Sequence, residues 1–162
     1  MECNELFLAE VIQVDLIPCA DCVCPIPFNV PAILTMTNPT LGTPALSVGF
    51  VGSGLTSEVE QAPSLSASEQ TQAMGVVYTH ELSAAIAHGF ANMRTARKTL
   101  MGVDFHIVAH TADGSKFLSY ALPNSSKISL EEQMSDGGTM TLKASVNSMS
   151  GFIKIVTADS SE

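Results

Sequence analysis

The stretch from Gly102 to Pro123 constrains the fold more than any other, because two independent signals in it select one pairing. Val103, Phe105, Ile107 and Ala109 alternate with Asp104, His106 and His110, the period of two of a strand with one buried face. Asp113-Gly114 then interrupts the run, and Asp-Gly tolerates the positive φ angles that a two-residue hairpin turn needs. With that pair at the centre of the turn, Phe105 faces Leu122, Ile107 faces Tyr120 and Ala109 faces Leu118, all on one side. Turn chemistry and hydrophobic pattern thus predict the same antiparallel hairpin.

The rest of the chain reads mostly as strand. Leu6 to Ile17 is a long candidate, with Leu6, Leu8, Ile12, Val14 and Leu16 on one face, and its early position suggests a central place in the sheet. Pro18 ends it, and a Pro-punctuated loop follows. Ala32 to Thr37 and Ala45 to Val51 are short strand candidates. Gly52 to Gln72, rich in Ser, Gly, Glu and Gln, lacks the apolar residues of a core element and reads as an exposed arm over residues 52–72.

Gly75 to Ala87 returns to strand, with His80 on its apolar face. Phe90 to Met101 is the one helical segment: Asn92 is placed to cap it, Met93, Ala96 and Leu100 recur at helical spacing, and Gly102 suits a left-handed terminus. Lys127 to Glu131, Thr139 to Val146 and Phe152 to Val156 complete the strands, with Asp136-Gly137-Gly138 as a turn. About seven or eight strands and one helix point to a mainly β single domain over residues 1–162. An antiparallel β-sandwich or partly closed barrel with one flanking α-helix fits that element list.

Composition then narrows the function classes. Charged residues make up only 14% of 162, and the formal net charge is −9, which opposes binding to phosphate backbones and anionic lipid. No run approaches the ~18 apolar residues of a membrane span, and the acidic N-terminus is unlike a secretory signal, so a cytoplasmic location is expected.

Chemistry-bearing constellations are few. Cys19, Cys22 and Cys24 have a spacing at which thiolates share one soft metal ion such as zinc, with Cys3 or a histidine completing a tetrahedron; reduced thiols or one disulfide are the alternatives. His106 and His110 share a strand face but lie about 13 Å apart, too far to hold one metal. His80 reads as a hydrogen-bonded core histidine. Asp104, Glu81 and the Glu131-Glu132 pair supply carboxylates without a nucleophile beside them, so no catalytic residue is expected, and Gly52-Ser53-Gly54 lacks the rest of a phosphate loop.

The order of elements from residue 75 to 156 resembles the tail-tube proteins of tailed bacteriophages and the related tube proteins of contractile injection machines. The features that carry the likeness are the long strand from Gly75, a helix closing with Leu100-Met101-Gly102, and Val103-Asp104-Phe105-His106-Ile107-Val108. The Asp113-Gly114 turn and the last strand, Gly151-Phe152-Ile153-Lys154-Ile155, complete it. The resemblance implies a non-catalytic protomer that needs no cofactor, pairs with itself as a ring-like homo-oligomer, contacts other virion or tail proteins and ends as a virion component. A small metal-binding module built on the cysteine loop and a secreted adhesin or pilin-like subunit are the competing classes.

Overall fold

The computed structural model describes residues 11–18, 33–36, 44–50, 57–59, 63–72, 75–88, 90–122, 124–133, 139–148 and 151–157. They form β1 (Val11–Pro18), β2 (Ile33–Met36), β3 (Leu46–Phe50), β4 (Ser57–Val59), β5 (Ser64–Gln72), β6 (Gly75–His88), α1 (Phe90–Leu100) and β7 (Phe105–Thr111). β8 (Lys116–Ser119), β9 (Lys127–Gln133), β10 (Thr139–Ser148) and β11 (Ile153–Thr157) follow. The fold is mainly β with a single helix among the described residues. The eleven strands exceed the seven or eight expected; β2 falls within the Ala32 to Thr37 candidate, whereas short β4 and the Ser-rich β5 are set by backbone pairing that composition does not reveal.

The strand order is β2-β11-β8-β7-β1-β3-β4-β6-β10-β9, with β5 added on β6. β1 is central, as its sequence suggested. Pairing is mostly antiparallel, and β2–β11 and β3–β4 are parallel. β6 and β8 stand five places apart, which in a flat sheet is about 24 Å at ~4.8 Å per strand. Yet His80 Nδ1 on β6 lies 2.7 Å from Ser119 Oγ at the end of β8. The sheet must therefore curl until its two halves face each other.

One core fills the space between them, drawing Val14 and Leu16 from β1, Phe105 and Ile107 from β7, Leu82 from β6, and Leu142 from β10. α1 plugs the side with Met93, Ala96 and Leu100, the residues whose spacing predicted the helix. Asn92 lies inside the helix, which begins at Phe90, so it is not the N-cap. Gly102 does take the left-handed terminus, with φ +77, and the Val103 N–H donates to the Leu100 carbonyl at 3.2 Å. A second cluster, Ile17, Val108, Leu118, Ile153 and Ile155, occupies the opposite face of β1, β7, β8 and β11, so β1, β7 and β8 are buried on both sides.

The hairpin exists with a register one residue away from the predicted one. Thr111 pairs with Ser115 through its N–H to the Ser115 carbonyl (2.9 Å), leaving a three-residue loop in which the Gly114 N–H donates to the Thr111 carbonyl (3.0 Å) and Gly114 has φ +90. This is the type I turn with a left-handed glycine typical of three-residue hairpins, and Asp113 braces it by accepting the Ser115 N–H. Ile107 accordingly faces Ser119 and Val108 faces Leu118. The one-residue slip moves Leu118 and Tyr120 to the second cluster.

No atom lies within 4 Å of where a Gly114 Cβ would sit, so a side chain there meets backbone strain and no clash. Gly114→Val is expected to cost about 1–3 kcal/mol, and Gly114→Asn distinctly less, since asparagine visits positive φ more readily. Thermal midpoints of the two variants check this; equal midpoints would refute the strain.

Candidate functional site

Cys19, Cys22 and Cys24 lie outside the described residues, so the cysteine loop contributes no geometry. Among the described residues no group of three or more His, Cys, Asp or Glu side chains comes together to hold a metal.

His80, His106 and His110 stand in three different environments. His80 is fully buried, hydrogen-bonded to Ser119 and edge-on to Phe152 with ring centroids 4.7 Å apart, which is the core role its apolar strand face suggested. His110, half-buried, holds the buried Asp15 of β1 through Nε2–Oδ2 at 2.9 Å, and Gln13 Nε2 donates to the other carboxylate oxygen at 3.0 Å. Burial alone would raise the Asp15 carboxyl, but hydrogen bonds from His110, Gln13 and Ser47 outweigh it and hold it below the ordinary value. His106 is buried, stacks on Tyr120 at 4.6 Å and accepts the Ala121 N–H on Nδ1 at 3.0 Å.

The carboxylates do not assemble into an acid–base pair. Asp104 accepts the Asn124 N–H at 2.8 Å. Glu132 is engaged by Arg94 of α1 through two hydrogen bonds of 2.6 and 3.2 Å, which lower its carboxyl pKa, and Glu131 lies 3.9 Å from Lys143. Glu81 opens onto a shallow groove of about 550 Å³ on the outer face of β5, β6, β10 and β9. One cross-strand row there runs Ser66, Glu81, Ser145 and Lys127, and Lys143 stands in the next. Hydroxyls and opposite charges in such rows make a well-solvated sheet face. Activating a serine needs a base within hydrogen-bond reach, and His80 is on the other side of the sheet.

The least ordinary surface is the expected arm. Of residues 52–72, the described ones are strands: Ser57–Val59 is β4, and Ser64–Gln72 is β5, paired residue for residue with β6 from Ser64↔Ser83 to Gln72↔Gly75. The arm reading is corrected because backbone hydrogen bonding to β6 holds a segment whose side chains bury little. Its exposure was legible: Ser66 to Thr71 are six consecutive exposed residues, bare on both faces. Among the described residues β5 hydrogen-bonds β6 alone. Among the described residues β10 follows β6 only as far as Tyr78, and beyond it β5 and β6 pair as a two-stranded ribbon, with Val76 41% exposed.

The chain matches no protein-family model, no curated protein and no solved structure. No helix among the described residues is long and apolar enough to cross a membrane.

Proposed function

We propose that the protein is a non-catalytic structural subunit that assembles with itself into a ring-like homo-oligomer, as the resemblance to phage tail-tube and injection-machine proteins implies. It would be made in the cytoplasm and join a virion-like particle among other virion or tail proteins. The observation that carries this reading is β5. A strand exposed from Ser66 to Thr71, with Leu65 its one residue packed on the core, gains little from the described part of its own chain beyond its ladder to β6, and a two-stranded ribbon is marginally stable alone. Edge strands left open in this way usually carry lysines, prolines or a bulge as protection. β5 has one charged residue, Glu69, and no proline or lysine. A neighbouring subunit's strand would cover the edge, and a heterologous contact that closes into a ring leaves no edge over. Few surface charges oppose such contacts, while net negative charge keeps an assembled surface from gripping nucleic acid.

Proline substitutions test this. Successive residues of a strand point their N–H groups to opposite sides, so of Ser66→Pro and Ala67→Pro one removes a donor to β6 and the other an outward donor. Sedimentation velocity is expected to show concentration-dependent oligomers for the parent protein, and one of the two variants folded by circular dichroism but monomeric. A parent protein that remains monomeric at about millimolar concentration would refute the assembly reading.

A further inference from the structure

Residues 121, 122 and 124–126, between β8 and β9, act as a strap between the two halves of the curled sheet. On one side the strap is tied to the start of β7: Ala121 N–H donates to His106 Nδ1 (3.0 Å), Asn124 N–H to Asp104 Oδ2 (2.8 Å), and Phe105 N–H to Ser126 Oγ (2.9 Å). On the other it is tied to the end of β10, where Leu122 N–H donates to the Asn147 carbonyl (2.8 Å) and Asn147 N–H donates to Ser125 Oγ (3.2 Å). β7 and β10 belong to opposite halves of the strand order, so the strap fastens one half to the other.

We propose that His106 is a proton-sensitive latch for this strap: adding a proton to Nδ1 turns its acceptor into a donor facing the Ala121 N–H, and the strap releases while the rest of the sheet stays folded. The inference is independent of the assembly reading. Its basis is geometric. An N–H donating to Nδ1 requires the lone pair there, which fixes the neutral ring with its proton on Nε2. The ring is 4% exposed, so no water stands ready to take over the contact.

Ile17 of β1 lies across from His106, and Tyr120 stacks on it. Among the described residues, the charged groups around it are Asp104 just ahead of β7 and, further along the same face, the Asp15–His110 pair and Lys116 of β8, opposite His110. Burial pushes the ring down from 6.5 to about 4, and Asp104 only partly offsets this. A folded value below the unfolded one means that closure is fully favoured above about pH 6.5 and is lost as pH falls towards 4.

Hydrogen exchange of the full chain, corrected for the intrinsic pH dependence of exchange, tests the latch. Between about pH 6.5 and about 4.5, protection of the Ala121 and Leu122 amides is expected to fall roughly thirtyfold, while Leu142 and Ala144 in the core stay protected. In His106→Asn, whose side-chain oxygen offers an acceptor that does not titrate, strap protection should be flat over that range. Three results would overturn the proposal: unchanged strap protection in the parent protein, simultaneous exchange of the core amides, or an equal loss in His106→Asn. Should the variant not fold, nitrogen chemical shifts of the parent protein decide, since a protonated His106 Nδ1 at neutral pH excludes the latch.

Discussion

Phe105→Ala is expected to destabilise the protein by about 3–5 kcal/mol, a large part of the total stability of a domain of this size. Phe105 has no exposed surface and heads the largest fully buried side chains. It belongs to the core cluster to which α1, β7 and β10 all contribute, and its N–H and carbonyl are both engaged by Ser126 Oγ. Backbone on two sides is therefore pinned, and the void left by the ring can collapse only partly. Urea unfolding would show a lower midpoint with an unchanged slope, whereas Val156→Ala on the exposed face of β11 should fall within about 0.5 kcal/mol of the parent. A Phe105→Ala loss no larger than that of Val156→Ala would contradict a single core shared by both halves of the sheet.

His80→Leu is expected to cost about 2–4 kcal/mol, although it exchanges a polar residue for an apolar one of similar size in an apolar setting. The substitution leaves the fully buried Ser119 hydroxyl without the ring nitrogen that satisfies it, and loses the edge contact with Phe152. Replacing both partners, in His80→Leu with Ser119→Ala, should recover roughly 1–2 kcal/mol of that loss, because the Ser119 hydroxyl is then no longer orphaned. Strict additivity in this double-mutant cycle would mean that β6 and β8 do not touch, and the curl of the sheet would have to be redrawn.

What could be read from residues alone follows how local each cause is. The left-handed Gly114 and Gly102, the buried stripe of α1 and the alternation of β6 are local consequences of side-chain spacing and were legible. The hairpin register was missed by one because Ala112 joins the loop. The missed signal was Val108: an apolar residue on the face assigned to water pairs with Leu118 in the real register, and together they mark a second buried face. Asn92 was misread as the cap although the expected span already began two residues ahead of it, at Phe90, where the helix does begin. The Ser64–Gln72 segment was read correctly as exposed and wrongly as an arm, since the ladder to β6 is made by backbone atoms that every residue carries. Of the candidate residues, His80 was placed correctly, whereas the His110–Asp15 contact joins strands 95 residues apart and leaves no sequence trace.

That long span also sets the order in which the molecule can be made. β1 lies between β3 and β7, and a ribosome adding about 5–20 residues per second delivers His110 roughly 5 to 20 seconds after Asp15. For those seconds a strand with Val14 and Leu16 on one face and Ile17 on the other can pair only with β3. Closing so large a loop is slow compared with hairpin formation, so the nascent chain spends its first moments as a sticky half-sheet. Shielding that half-sheet until β7 arrives is thus a kinetic burden separate from the stability of the finished fold.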